Sequence, residues 1–475
     1  MAKLAFEYGQ GLMEAYLPDN TDIFIPGETL PDPPFLNNVA EATRHSVLHP
    51  VGMPPISKSV KKGSKVTIVF PDKVKGGFQV DSHRKTAIPI ILDELLKAGV
   101  EKKDIKLICS NGLHRKNTRE EIRSLLGDNV FDDFWWTNQI VNHDSEDWDN
   151  LVDLGHDEMG NRVIMNREVY ESDFAVLIGH TLGNPYGAYS GGYKHCATGI
   201  THWKSIAEHH VPHVMHRDDF TPVSKDSLMR KKFDSIGMYM EKSMGKKFFA
   251  CDAVLDTYQR QIAVFTGYSA EIQPLSWEIA DKRTFVPWAE KKYDLLIFGM
   301  PQAFHYGDGM GTNPILMLQA ISAQIIRHKN ILNDNCVVIC SSICNGYFHD
   351  EEFPSYRPLY ELFQRDCHNM LPDLEKYGEY FSNNKEYIDK YRYNYGYHPY
   401  HAFSMISCGH IAEMNCAAIY IVGAYEPGYA RAMGMKTRAT FDEALKDAVK
   451  YVGRTPNILA LPKTFKTAAV HLGMR

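Results

Sequence analysis

The sequence of 475 residues contains no apolar run near the roughly 20 residues that a membrane-spanning helix requires. It also lacks a basic excess, since 52 Lys and Arg stand against 58 Asp and Glu, so charge gives no reason to expect nucleic acid. Glu7 and Glu14 interrupt the N-terminal apolar residues, which excludes a signal-peptide core. Nine cysteines, an odd and scattered set, are typical of reduced thiols. We therefore expect a cytoplasmic protein that binds neither membranes nor nucleic acid.

Short apolar runs and helical patterns alternate along the chain. Continuous apolar runs are typical of parallel strands that helices cover on both faces, which predicts an α/β protein with mainly parallel sheets. The predicted strands are residues 65–70, 105–110, 174–179, 294–300, 336–341 and 417–423. The predicted helices are residues 86–100, 118–128 and 441–453.

The length predicts two or three domains. A polar stretch before the fourth predicted strand places the main boundary near Pro287, between residues 1–286 and 287–475. A segment rich in tyrosine and asparagine, residues 377–403, is expected to pack on the other domain or on a second subunit.

Ionisable side chains directly follow three of the predicted strands. These side chains are Asp72 and Lys75 after the first strand, His114 and Arg115 after the second, and His180 after the third. Ligands of open α/β sheets bind beyond the carboxyl ends of the strands. Histidine suits acid–base chemistry near neutral pH because its unperturbed pKa is about 6.5. The sequence therefore predicts a site at this edge of the sheet.

A double glycine and a lysine stand in "YSGGYK", residues 189–194. Gly191 and Gly192 can fold the backbone tightly and bring N–H groups close to an anion. A helix predicted to begin near Thr198 or Gly199 would add its positive dipole end. These features, with Lys194, predict a phosphate site.

Histidines follow this stretch in "ITHWKSIAEHH", residues 200–210. In one continuous helix, His202 and His209 would share a face because they are seven residues apart. His209 and His210 would point about 100° apart, so that at most one of them enters a given site. Imidazole is a good ligand for nickel, copper, zinc or iron.

The order of "NGLHR", "GH", "GAYSGGYK" and a histidine sixteen residues after the lysine resembles the lactate racemase family over most of the chain. The resemblance implies that residues 1–286 form an N-terminal cofactor-binding and catalytic domain. It also implies that residues 287–475 form a smaller C-terminal α/β domain that closes the active-site cleft, with the last segment able to pack back on the first domain.

The same resemblance implies a cofactor, the nickel-pincer nucleotide (pyridinium-3-thioamide-5-thiocarboxylic acid mononucleotide with nickel). Lys194 matches the lysine that tethers it through a thioamide, and His210 matches the nickel ligand. The remaining cofactor-binding residues are expected to be Asp72, Ser190, Gly191 and Gly192. His114 and His180 match the two acid–base histidines.

Two positions depart from the family pattern at the residues that grip the substrate carboxylate. The arginine expected three residues after Asp72 is Lys75, unless Arg84 takes its role. The lysine expected three residues after Gln319 is Ser322. The expected substrate-binding residues are therefore Lys75, Arg84, Arg115, Gln319 and Ser322, and they favour an acid larger than lactate, such as a sugar acid.

The resemblance implies an isomerase that inverts C2 of a 2-hydroxy acid by hydride transfer to and from this cofactor. Its partners would be the small-molecule hydroxy acid and the accessory proteins that make the cofactor, while a monomer and a homo-oligomer both stay open. The alternative is a hydrolase or lyase that binds zinc or another divalent metal through the same histidines. A binding protein without catalysis is less favoured because both His114 and His180 are present.

Overall fold

The computed structural model describes residues 2–75, 82–366 and 370–475. Its strands, numbered β1 to β20 in chain order, are Ala2–Gly9, Gly11–Leu17, Asp22–Ile23, Val66–Pro71, Ile105–Ser110, Ile140–Asn142, Leu151–His156, Arg162–Asn166, Phe174–Thr181, Phe249–Leu255, Gln261–Tyr268, Phe285–Ala289, Tyr293–Pro301, Ala303–Phe304, Gly307–Asp308, Leu332–Ser341, Cys416–Val422, Lys436–Arg438, Ile458–Leu461 and His471–Met474.

The α-helices, numbered α1 to α18 in chain order, are Val39–Leu48, Ile56–Ser59, His83–Lys97, Arg119–Leu126, Asp128–Phe134, Arg167–Glu171, Gly192–Gly199, Trp203–Ala207, Pro212–Met215, Leu228–Met244, Ser269–Thr284, Pro314–His328, Tyr356–Arg365, Met370–Ser382, Lys385–Tyr393, Pro399–Asn415, Pro427–Ala432 and Phe441–Val452. No helix of the described ranges is long and apolar enough to cross a bilayer.

Contacts between residues divide the chain into two discontinuous units, which we call unit 1 and unit 2. Unit 1 contains the residues up to Asp32 together with Phe285–Tyr387 and Pro399–Arg475. Unit 2 contains Pro33–Thr284 and Ile388–His398. The sequence predicts one main boundary near Pro287. The contacts instead change from one unit to the other four times, after residues 32, 284, 387 and 398.

Unit 2 is built on a six-stranded sheet in the order β11-β10-β9-β4-β5-β6. Its strands are parallel except for the antiparallel pair of β10 and β11. Every residue of β4 and β9 is buried, as the continuous apolar runs predict for strands covered on both faces. The core on one side joins Ile68 and Phe70 to Ile91 of α3 and Leu125 of α4.

Unit 1 is built on an eight-stranded sheet whose main path is β18-β17-β16-β13-β1-β2, with β19 and β3 beside it. The pairs β13–β16, β16–β17 and β13–β19 are parallel, and the hairpin of β1 and β2 is antiparallel. The chain is therefore mixed α/β with mainly parallel sheets, which confirms the predicted fold class.

The helical prediction for residues 198–210 is wrong in its boundaries. Helix α7 already begins at Gly192 and ends at Gly199, so that Lys194 lies inside it. His202 caps the short helix α8, where its Nδ1 accepts a hydrogen bond from Lys204 N at 3.1 Å. His209 lies beyond the end of α8 at Ala207, so it shares no continuous helical face with His202.

Candidate active site

The strand order of unit 2 reverses between β4 and β9. The chain passes from β4 to β5 on one side of the sheet, and β9 later pairs with β4 on the other side. Ligands of open α/β sheets bind beyond the carboxyl ends of the strands at such a switch point. Asp72 follows β4, His180 lies near the end of β9, and His114 follows β5, so the fold brings these three residues to the edge that the sequence predicts.

Asp72 and His114 form a direct pair. Asp72 is fully buried, and His114 Nδ1 lies 2.7 Å from its Oδ2. Burial raises the pKa of the Asp72 carboxyl, but the charge and hydrogen bond of His114 and the nearby Lys75 outweigh it and leave the pKa below its ordinary value. An ionised Asp72 accepts the Nδ1–H of His114, which leaves Nε2 as the basic nitrogen of the ring.

Arg84 is fully buried and bound to main-chain carbonyls around β4. Its Nε donates to Pro71 O at 2.7 Å, and its Nη2 donates to Asp72 O and Lys75 O, each at 2.7 Å. Nη1 donates to Ser82 Oγ at 2.9 Å. Burial lowers the pKa of Arg84 to about 10. Four of its five N–H groups are thereby engaged in holding the loop after β4, which leaves little of the guanidinium for a substrate carboxylate.

Lys75 lies half-buried on the same loop, and its N–H donates to Asp72 Oδ1 at 3.1 Å. Desolvation lowers the pKa of its ammonium group, and the charge of Asp72 partly restores it. Arg115 instead forms a bidentate ion pair with Glu121. Its Nη1 and Nη2 donate to Glu121 Oε2 and Oε1 at 2.9 and 2.7 Å, next to the Thr118 capping box of α4. Lys75 thus lies beside Asp72, and the charges of Asp72 and Cys109 act on its ammonium group.

His180 is buried on β9, and its Nε2 has no hydrogen-bond partner. Burial, followed by the charges of Arg84, His83 and His195, lowers its pKa well below the ordinary value. The ring is therefore neutral at pH 7 and has an unpaired nitrogen. Its Nε2 is therefore able to bond a ligand that enters this edge of the sheet.

His195 is a neighbour that the sequence prediction did not select. It lies on α7, where its Nε2 bonds Ser110 Oγ at the end of β5, and its buried Nδ1 has no partner. Burial, and then the charge of Lys75, lowers its pKa to about 3. The sequence could have indicated His195 by its position one residue after Lys194. Its direction toward β5, however, depends on where α7 begins, which is Gly192.

The glycines before Lys194 form a tight entry into α7. Gly191 and Gly192 have φ of +83° and +52°, and a Cβ on Gly192 would lie 2.3 Å from Gln273 Oε1. The N–H groups of Gly192 and Tyr193 donate to Asp252 Oδ2 and Gln273 Oε1, each at 2.9 Å. Two of the N–H groups on which the phosphate prediction depended are therefore already bonded to protein side chains.

Ser190 precedes these glycines and is also bonded to the main chain. Its Oγ donates to His180 O at 2.7 Å and accepts the N–H of Leu182 at 3.1 Å. The hydroxyl thus joins the loop before α7 to the end of β9, directly beside His180.

Lys194 projects from α7 into an apolar, aromatic environment. Its Nζ donates to Tyr186 O at 2.8 Å and lies 5.6 Å from the Tyr186 ring centre and 5.9 Å from that of Phe233. Burial, and then the charges of Lys75 and Arg230, lowers its pKa well below the ordinary value. Burial thereby favours the uncharged, nucleophilic form of this amine.

The same two aromatic rings also contact the histidine pair. The His210 ring stacks on Tyr186 with centres 5.1 Å apart, and the His209 ring meets Phe233 edge-on at 4.6 Å. The Nδ1 atoms of the two histidines lie 2.6 Å apart, so a hydrogen bond joins the two rings. Lys194 and His210, sixteen residues apart, are therefore neighbours across Tyr186.

Gln319 and Ser322 lie on α12 of unit 1. Gln319 is buried, while Ser322 Oγ donates to Gly409 O at 2.7 Å and accepts the N–H of Ala412 at 3.0 Å. The Ser322 hydroxyl thus connects α12 to α16, which is a packing role.

Charge interactions link the parts of the site within unit 2. The charge of Lys75 acts on the pKa values of both Lys194 and His195, and that of Arg84 acts on His180. Within the described ranges, no group of three or more His, Cys, Asp or Glu is arranged to hold a metal ion by itself. The arrangement offers two imidazoles for proton transfer, a buried amine and a separate histidine pair.

Residues 8–221 match the family model of the lactate racemase N-terminal domain. A lactate racemase of Lactiplantibacillus plantarum is 23% identical over 248 residues, which cover 52% of this chain and 55% of that enzyme. A lactate racemase of Thermoanaerobacterium thermosaccharolyticum is 20% identical over 269 residues, which cover 57% of this chain and 60% of that enzyme. The chain thus matches little more than half the length of these relatives.

Two solved structures are similar over nearly the whole chain. The lactate racemase apoprotein of Thermoanaerobacterium thermosaccharolyticum has a TM-score of 0.72 at 18% identity and covers 99% of this chain and 100% of that chain. A protein of Thermotoga maritima has a TM-score of 0.56 at 13% identity, with 91% and 98% covered. At these identities the similarity establishes a shared fold.

Proposed function

Because residues 8–221 match the model of the lactate racemase N-terminal domain, we propose that this chain belongs to the lactate racemase family and is an isomerase that inverts C2 of a 2-hydroxy acid with a nickel-pincer nucleotide. The observation that supports this most is the placement of Asp72, His114 and His180 at the switch point of the unit 2 sheet, beside Lys75, whose charge also acts on the Lys194 amine. The family relation supports a racemase or epimerase; the cofactor, the residue roles and the substrate are our proposal, as is a cytoplasmic location.

The residues around Lys194 fit the chemistry of a tethered nucleotide. Acylation of an amine requires its uncharged form, and burial favours that form at Lys194. The paired His210, held against Tyr186, offers an imidazole for nickel beside that amine. When bound, the cofactor would supply a hydride acceptor that the protein itself lacks.

Proton transfer belongs to His114 and His180. The Asp72 carboxylate holds Nδ1–H of His114, so that Nε2 can take the proton of the substrate hydroxyl and later return it. His180 is neutral and its Nε2 is unpaired, so it can do the same for the other enantiomer. Two bases would serve the two configurations at C2.

Lys75 is the proposed partner of the substrate carboxylate. Arg84 is committed to three main-chain carbonyls, and Arg115 is paired with Glu121, so neither is available to the same extent. A lysine forms one flexible contact where arginine would form two fixed ones. This difference supports a substrate other than lactate, and a hydroxyl-rich sugar acid is our proposal.

The test is to incubate cofactor-loaded enzyme with a panel of 2-hydroxy acids and sugar acids in deuterated water. Inversion at C2 without deuterium in the product is the expected result, because the hydrogen returns directly to carbon. His114→Ala and His180→Ala should each lower turnover at least about 100-fold and keep their nickel. His210→Ala should lose nickel.

Three outcomes would contradict the proposal. Uptake of solvent deuterium at C2 would indicate a carbanion, and normal turnover in either histidine variant would remove that residue from the mechanism. Bound zinc, no mass added at Lys194 and hydrolase or lyase activity would favour the divalent-metal alternative.

A further inference from the structure

The loop that presents His114 is held by residues far away in the sequence. We call residues 111–114 the histidine loop and Ile388–His398 the return segment, because it belongs to unit 2 while both its flanks belong to unit 1. Tyr391 of the return segment donates from its hydroxyl to Gly112 O at 2.8 Å, across 279 residues of sequence. The N–H of His398 donates to Leu113 O at 2.9 Å.

Two main-chain N–H groups of the histidine loop are bonded within unit 2. Gly112 N donates to Gly199 O at 3.1 Å, and His114 N donates to Asn111 O at 2.8 Å. Gly112 has φ of +54°, and a Cβ there would lie 2.2 Å from Thr198 O, so the loop has no room to shift toward α7. The return segment therefore supplies the bonds on the two carbonyls that precede His114.

The Tyr391 hydroxyl has a fixed orientation. It is fully buried, donates to Gly112 O, and accepts from Ser145 N at 2.9 Å and Ser145 Oγ at 3.0 Å. A phenol has one proton and two acceptor sites, so all three are used. Burial raises the pKa of Tyr391, so the proton stays on the hydroxyl.

The return segment is also anchored beside this contact. His398 Nε2 bonds Glu146 Oε1 at 2.8 Å, and Lys116 Nζ donates to Arg392 O at 2.7 Å. The buried Tyr397 ring lies 5.7 Å from the His114 ring, centre to centre. The segment thus contacts the histidine loop both through its main chain and through the imidazole itself.

We propose that the return segment positions His114, with Tyr391 and Tyr397 as its positioning residues. The role in turnover rests on the proposed function, while the placement of the imidazole does not. Loss of the Tyr391 hydroxyl would leave Gly112 O and Ser145 N unpaired in a buried place, and the loop would relax. A displacement of about 1 Å at a catalytic group can cost about 100-fold in rate.

The test compares Tyr391→Phe with Tyr393→Phe, a matched control two residues along whose side chain is 66% exposed. The first measurement is the imidazole nitrogen NMR spectrum of the full chain without cofactor, in which the His114 signals are assigned by their absence in His114→Gln. Tyr391→Phe should shift these signals, and Tyr393→Phe should not. Should Tyr391→Phe fail to fold, Tyr397→Leu carries the same expectation.

The second measurement is steady-state kinetics of the loaded enzyme. Tyr391→Phe should lower kcat about 10- to 100-fold and leave KM within about threefold, because it misplaces a proton-transfer group without removing a substrate contact. Unshifted His114 signals in a folded Tyr391→Phe or Tyr397→Leu variant would overturn the proposal. Shifted signals in a protein whose wild type inverts no hydroxy acid would instead refute the proposed function and leave the positioning role intact.

Discussion

At the scale of single residues, the sequence predicts that His114 and His180 lie at the carboxyl edge of the unit 2 sheet, and it misses the residues that support them. His114 and His180 follow from their place directly after apolar strands, a relation that depends only on local order. The role of Arg84 could not be predicted, because its bonds to Pro71 O and Lys75 O depend on how α3 packs against β4. His195 was missed for the same reason, since its direction depends on where α7 begins.

Arg84 offers a stability test at this scale. Arg84→Met keeps the apolar stem but leaves two buried carbonyls and one partly buried carbonyl without their donor, so the free energy of unfolding should fall by about 2–4 kcal/mol. The neighbouring exposed Lys85→Met should change it by less than about 0.5 kcal/mol. Urea unfolding of both variants checks this, and equal effects would show that the Arg84 bonds contribute nothing specific.

Asp252 gives a test that depends on pH. Burial raises the pKa of its carboxyl from 3.8 to about 7 in the folded protein, although Gly192 N donates to it. The folded state resists ionisation, so wild-type stability is lost as pH rises from about 4 to about 7 and levels off above that range. Asp252→Asn removes the ionisation.

The stability of Asp252→Asn relative to wild type should therefore rise across that range. The relative stability should rise by about 4 kcal/mol in total, because each pKa unit between 3.8 and about 7 corresponds to 1.36 kcal/mol. Urea unfolding at pH 4 to 8 measures it. A difference between the two proteins that does not change with pH would contradict the shifted pKa.

At the scale of elements, strands were easier to predict than the helices that carry function. The predicted strand at residues 105–110 is the observed Ile105–Ser110, because an apolar run between polar turns has few other structures open to it. Helix α7 was placed about seven residues late, since glycines usually end a regular helix. Here Asp252 and Gln273 bond its first N–H groups, and these two residues lie far away in the sequence.

The need for glycine at the start of α7 can be tested by the addition of one methyl group at Gly192. Gly192→Ala forces an alanine to φ of +52° with its Cβ 2.3 Å from Gln273 Oε1, so the free energy of unfolding should fall by about 1–3 kcal/mol. Gly428→Ala is the control, because a Cβ there meets nothing within 4 Å. Thermal unfolding that is unchanged in both variants would show that the entry tolerates a side chain.

At the scale of the whole molecule, the sequence predicts the fold class but not how the chain is divided. The alternation of strands and helices is a local property, so the α/β class follows from it. The assignment of the first residues to unit 1 and of the return segment to unit 2 depends on contacts between distant residues. No sequence pattern, for example, predicts the hydrogen bond between Tyr391 and Gly112.

Hydrogen exchange can test this division. Under mild denaturant, amides around Tyr391 and His398 should exchange together with those of β4 and β5, because their hydrogen bonds join them to unit 2. Peptides from α16, which follows directly, should exchange with unit 1. If the return segment instead exchanges with α16, its contacts with the histidine loop are weaker than their number suggests.

The return segment also limits how this gene can be shortened. An expression fragment that stops at residue 284 would retain Asp72, His114, His180 and Lys194, yet it would lack the tyrosine that bonds Gly112 O. Such a fragment would contain every proposed reacting group, but the His114 imidazole would be displaced from its position. Adding residues 388–398 as a separate peptide should then complement the fragment, as one half of a split protein complements the other.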